Sequence, residues 1–136
     1  MSYVVLVLMA IQAAAGVLLL AGWMRGTRPG GRVVLTHVSA GLLTVAFWIL
    51  FLLQGSVWSA WTAFAAMTVG NAVGDSMLVE RWQRMNNSSR GFWRSYGAAI
   101  AAVFAGEMPR SVAFHALFAG VVYFCTLGVC IGASVA

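Results

Sequence analysis

Charge is what this chain has least of. Only Asp75, Glu80 and Glu107 are acidic, lysine is missing altogether, and the eight basic residues are all arginine. Charged residues make up 8% of the 136 while 62% are hydrophobic, with a mean hydropathy of +0.90. So little polar surface does not coat a water-soluble domain, which excludes a soluble single-domain enzyme. Cysteine is scarce too. Cys125 and Cys130 lie five residues apart in one apolar run, on different sides of a helix, which argues against a disulfide or a paired-thiol metal site. There is no Ser-His-Asp arrangement, phosphate loop, His-Glu-x-x-His or paired catalytic carboxylate, so hydrolytic and kinase chemistry have no foothold.

What the chain does have is long apolar runs. A helix needs about 20 such residues to cross a bilayer, and the sequence predicts four crossings, at about 3–23, 33–53, 57–79 and 111–133, within one membrane domain over 1–136. The first run lacks the basic start of a secretory signal peptide and is read as a retained helix. Pro29-Gly30-Gly31 separates the first two runs, Gln54-Gly55-Ser56 the next two, and Asn86-Asn87-Ser88-Ser89 stops the third. A shorter segment, about 92–106, carries Trp93, Tyr96, Ile100, Val103 and Phe104 at helical spacing and predicts an interfacial cytoplasmic helix. Its other side is mostly alanine, a surface equally suited to covering the bundle or meeting another subunit.

The fold class expected is therefore all-α and integral to the membrane, a four-helix bundle. All the arginines fall between runs one and two or three and four, which places both connections in the cytoplasm and both termini outside the plasma (inner) membrane. A pI near 10.3 would suggest nucleic acid in a soluble protein; no aromatic-basic recognition motif accompanies these arginines, so none is expected as a partner. Trp23, Trp82 and Trp93 are expected at the inner interface and Tyr3, Trp58 and Trp61 at the outer one.

Polar side chains inside a bilayer are costly unless paired or facing a cavity, so the few present carry the information. They are Gln12, His37, Asn71, Asp75 and His115. Each histidine follows an arginine by five residues, Arg32 and Arg110, which puts both imidazoles roughly 7 to 8 Å inside the cytoplasmic edge. RVVLTHVSAG and RSVAFHALFAG also share a pattern, hinting at an internal repeat of helix pairs. Two neutral imidazoles at one depth on two helices suit the axial ligation of a b-type haem, with Gly41 and Gly120 letting a flat macrocycle approach and Arg32 and Arg110 pairing with its propionates. Through these paired histidines alone, the arrangement resembles four-helix membrane cytochromes b as a class.

Asp75 shares that depth, with Asn71 one turn before it. It is a candidate to accept a hydrogen bond from an imidazole N–H, to join the histidines around a divalent metal or in a proton relay, or to pair with Arg81 or Arg28 near the interface. Structural packing of the histidines is the competing reading. The repeated small residues Gly70-x-x-x-Gly74 and Gly128-x-x-x-Gly132 are candidate close helix contacts.

The sequence thus points first to a small membrane haem subunit that exchanges electrons with a partner, with a quinone as a candidate small acceptor. It carries no nicotinamide or flavin site and is not expected to be an enzyme alone. The alternatives are a non-catalytic accessory subunit or homo-oligomer within a larger membrane assembly, and a small cation- or proton-coupled transporter using the polar residues as its path.

Overall fold

A computed structural model describes residues 1–26 and 30–135. Within them the chain forms five helices and no strand: α1 (Ser2–Arg25), α2 (Gly31–Gln54), α3 (Val57–Met85), α4 (Phe92–Phe104) and α5 (Arg110–Val135). The expected turn at Pro29 lies outside the described residues. The tightest reversal, between α2 and α3, turns on Gly55 at φ +68°, whose N–H closes on the Phe51 carbonyl at 2.9 Å. A side chain at that left-handed position would be strained, which is why glycine ends the helix. α3 stops where Asn87 adopts φ +47° and the Asn86 amide donates to the Trp82 carbonyl at 2.9 Å.

The four long helices alternate in direction. At one end the Trp48 indole N–H donates to the Ser2 carbonyl (3.1 Å) and the Trp61 indole N–H to the Ser134 hydroxyl (2.9 Å), fastening α2 to α1 and α3 to α5. Around the bundle α2 packs on α1 and α3, and α5 on α1 and α3, so α2 and α5 stand at diagonal corners. Val5, Met9, Trp48, Phe51, Met67 and Val122 fill the half of the bundle near those tryptophans, with Trp48 wholly buried.

At the opposite end, where all the described arginines lie, α4 rests against α3. Its small side, Ser95, Ala99 and Ala102, is buried against Leu78 and Trp82 of α3, and Trp93 and Phe104 point outward. The alanine face expected as a possible cover for the bundle is that cover. Trp82 accordingly is a packing residue under α4 rather than an interfacial one.

α1, α2 and α5 are long and apolar enough to cross a membrane. Leu18, Leu35, Leu42, Leu53 and Phe124 stand exposed on their surfaces, an apolar exterior that lipid satisfies and water does not. α3 is longer still, at 29 residues, but Asn71, Asp75, Ser76 and Glu80 make it more polar than the other three.

Candidate functional site

α2 and α5 both start at the arginine-rich end, so residues five or six positions into each reach the same level. The structure brings those residues together: the His37 and His115 rings lie 6.1 Å apart between centroids, with planes inclined at 72°. Both face the bundle interior, on the sides of α2 and α5 that also bury Thr44 and Trp48, and Val122 and Thr126. The depth match predicted from counting residues is thus a contact across the diagonal.

Each imidazole is seated against a glycine of the helix beside it. A Cβ at Gly74 of α3 would stand 3.1 Å from His37 Cε1, and a Cβ at Gly16 of α1 would stand 3.2 Å from His115 Cε1. Four residues before each glycine lies the polar contact. Nδ1 of His37 is 2.9 Å from the Gly70 carbonyl oxygen; a carbonyl only accepts, so Nδ1 carries a proton, and in the neutral ring Nε2 is the nitrogen with the lone pair. On the other side Gln12 donates its amide to the backbone carbonyl of His115 at 3.0 Å, and the same amide nitrogen lies 3.5 Å from His115 Nε2. His115 Nδ1 and Gln12 Oε1 are buried with no hydrogen-bond partner.

The pairs 12/16 on α1 and 70/74 on α3 thus flank the two histidines in the same register. The helix pair α1–α2 corresponds to α3–α5, with α4 inserted in the second. This gives the repeat hinted at by the arginine-histidine spacing a three-dimensional counterpart, carried by glycines that the linear pattern did not include.

The other candidate residues are placed less uniformly. Arg32 and Arg110 are exposed in the first turns of α2 and α5, at the end of the bundle nearer the histidines, and neither forms an ion pair among the described residues. Gly41, one turn beyond His37, is exposed on the surface of α2, and a Cβ there would meet nothing within 4 Å. Gly120 does not share His115's face: five residues place it roughly 140° around α5, and it too has no neighbour within 4 Å of a Cβ. The glycines that touch the imidazoles are Gly16 and Gly74 instead. Gly70 also approaches α2, its Cβ position 3.4 Å from Ala40 Cβ, so Gly70-x-x-x-Gly74 is a close contact between α2 and α3. Gly128-x-x-x-Gly132 makes no such contact among the described residues.

Asp75 does not meet the histidines by hydrogen bond. One residue beyond Gly74 turns it about 100° around α3, toward α4, where the Tyr96 hydroxyl donates to its Oδ2 at 3.3 Å. Burial raises the Tyr96 pKa, and the neighbouring Asp75 charge and hydrogen bond raise it further, so the phenol keeps its proton. Neither Arg81 nor the histidines take the role expected of an Asp75 partner; Arg28 lies outside the described residues. Asn71 is half-buried beside Gly70 and hydrogen-bonds neither imidazole. Among the described residues no three His, Cys, Asp or Glu side chains gather as a metal-holding group.

No protein-family model, curated protein or solved structure matches the chain.

Two interactions escaped the linear reading. Gln83, at the water-facing end of α3, donates to the Arg90 carbonyl (2.8 Å) and to buried Ser95 Oγ (2.9 Å), and Ser95 in turn donates to the Arg90 carbonyl (3.1 Å). Gly16 is hidden among alanines. Its position four residues after Gln12, matching Gly74 after Gly70, was the available signal.

Proposed function

We propose that the chain is a small membrane cytochrome subunit, with His37 and His115 as axial ligands of one b-type haem and electrons passed to or from a partner protein. The observation that carries this reading is the facing of the two imidazoles across the diagonal at 6.1 Å. Two imidazoles on opposite sides of one metal ion have ring centres about 6 Å apart, taking metal–nitrogen bonds of about 2 Å. The donor set fits as well. His37 offers Nε2 with Nδ1–H anchored on a backbone carbonyl, the arrangement that orients a ligating imidazole and increases its basicity. His115 contributes a half-buried ring whose Nδ1 has no hydrogen-bond partner, while the Gln12 amide nitrogen lies 3.5 Å from its Nε2.

When bound, the group supplies one-electron redox chemistry. The chain's own residues hold and insulate it: the imidazoles fix its centre, Arg32 and Arg110 provide charge for its carboxylates at the water-facing end, and the apolar half around Trp48 closes the opposite side. That filling also weighs against a transport path, since the other half of the bundle is packed with Val5, Met9, Phe51, Met67 and Val122 and, among the described residues, holds no charged side chain. We further infer that α3, packed against α2 and α5, is a fourth crossing, with the arginine-bearing connections in the cytoplasm and both termini outside. The partner is another membrane subunit or a second copy, and a quinone is a suitable small acceptor.

Oxidised and reduced absorption spectra of the detergent-purified protein, with a pyridine haemochrome assay, test the reading. It expects a sharp reduced α-band, about one haem per chain, and loss of the six-coordinate low-spin spectrum in both His37→Ala and His115→Ala. A colourless protein after haem supplementation during expression, or an unchanged spectrum in both variants, overturns it. An accessory-subunit role then takes its place, favoured by the exposed Phe92 and Trp93 surface of α4 and tested by co-purification with partners.

A further inference from the structure

α4 has a face that none of the described residues covers. Helical spacing puts Trp93, Gly97, Ala101 and Phe104 on one ridge, away from the Ser95, Ala99 and Ala102 side that packs on α3. All of the ridge is exposed, Trp93 at 80% and Phe104 at 73%. Arg90 and Arg94 stand exposed at its start, and among the described residues the one ion pair, Arg84 with Glu80, leaves both guanidinium groups unpaired. An open hollow of about 280 Å³ is lined there by Gly91, Phe92, Trp93 and Arg94. No acidic residue falls between Arg81 and Gly106.

The depth of this face follows from what its buried side touches. α4 shares a core with Leu78 and Trp82 of α3 and with Val112, Ala113 and Ala116 of α5, the turns where those helices reach the arginine-bearing end. With 13 residues, about 20 Å, α4 is too short to cross a bilayer. It lies beside the first turns of an apolar span, at the level where that span meets the bilayer surface. An apolar ridge at this level is satisfied by the boundary between headgroups and acyl chains, with aromatic rings in it and guanidinium groups among the phosphates. A second copy fits worse, because a symmetric pairing along the ridge sets arginine against arginine with no carboxylate on the helix to meet it.

We propose that this face of α4 is a docking surface for anionic phospholipid, with Trp93 and Phe104 in the headgroup boundary and Arg90 and Arg94 holding the phosphate of a lipid of net negative charge through charge-assisted hydrogen bonds. The surface selects acidic over zwitterionic headgroups, and does so whether or not the histidines carry a haem.

The test places the full chain in phosphatidylcholine bilayers containing a minority lipid with brominated acyl chains, either phosphatidylglycerol or phosphatidylcholine, which quenches nearby tryptophan. The Trp93 signal is the difference between wild type and Trp93→Phe. Brominated phosphatidylglycerol is expected to quench it with an apparent affinity at least about fivefold above that of brominated phosphatidylcholine, the factor that one arginine contributes beside an anionic surface. That preference should shrink as salt is raised. Arg90→Gln combined with Arg94→Gln should abolish the preference and keep the quenching; both side chains are exposed and unpaired, so the fold does not depend on them. Equal quenching of the wild type by the two lipids, or a preference that survives the double substitution, overturns the proposal. Absence of Trp93 quenching by either lipid overturns it as well and shows the ridge to be covered by protein.

Discussion

His37 and His115 are placed by what is missing beside them. Gly74 and Gly16 remove a side chain where each ring sits, and restoring a methyl group at Gly74 would bring carbon to 3.1 Å from His37 Cε1. Gly74→Ala is therefore expected to destabilise the protein by about 1–3 kcal/mol, because an imidazole pinned on the Gly70 carbonyl has little freedom to retreat. Gly41→Ala serves as the contrast. It meets nothing within 4 Å, and alanine favours a helix by about 1 kcal/mol over glycine, so its thermal unfolding midpoint in detergent should equal or exceed the wild type's. A Gly74→Ala protein as stable as wild type would show that the histidine seat is looser than its geometry. The depth of the two histidines was legible from residue counting alone, since helix rise is fixed. The glycines beside them were not, because a seat is made by a neighbouring helix and linear proximity selected Gly41 and Gly120 instead.

At the level of the helix, α4 shows why faces are harder to read than spans. A long apolar run declares itself, yet when lipid and core are both apolar the pattern along α1 or α5 does not tell which side meets a neighbour. For α4 the large aromatic side suggested the buried face of an ordinary amphipathic helix set on a membrane, and its small side was open to two uses. In the structure Ser95, Ala99 and Ala102 allow close approach to Leu78 and Trp82, while the Gln83–Ser95–Arg90 hydrogen bonds pin the entry to the helix. Ala99, fully buried, has no room for a larger group. Ala99→Leu is expected to undock α4, read as faster amide exchange over 92–104 with α1 and α2 unaffected. Tyr96→Phe should do so only slightly, as loss of one long interhelical hydrogen bond to Asp75 costs about 0.5–1.5 kcal/mol. Equal exchange in wild type and Ala99→Leu would show that the α3–α4 packing does not hold the helix in place.

For the molecule as a whole, the decisive uncertainty in the sequence is α3, whose polar residues set it apart from α1, α2 and α5. Packing supplies the argument that composition does not. α3 lies antiparallel to α2 along the Gly70 and Gly74 contacts, joins α5 through Trp61 and Ser134, and ends beside the arginines; its Gly70 carbonyl meets His37 and its Asp75 carboxylate meets Tyr96. The proposal that α3 crosses with its neighbours rests on this packing, and the direction proposed for it on the positive charge of the connections. In a Cys125→Ser, Cys130→Ser background, Ser56→Cys, just before α3, should react with a membrane-impermeant maleimide in intact cells, and Asn87→Cys, just after it, only after permeabilisation. The reverse pattern would place the arginines outside and remove the charge argument. Reaction of both cysteines from the same side would mean that α3 does not cross between those positions, and the diagonal pairing of His37 with His115 would then have to form without four spans around it.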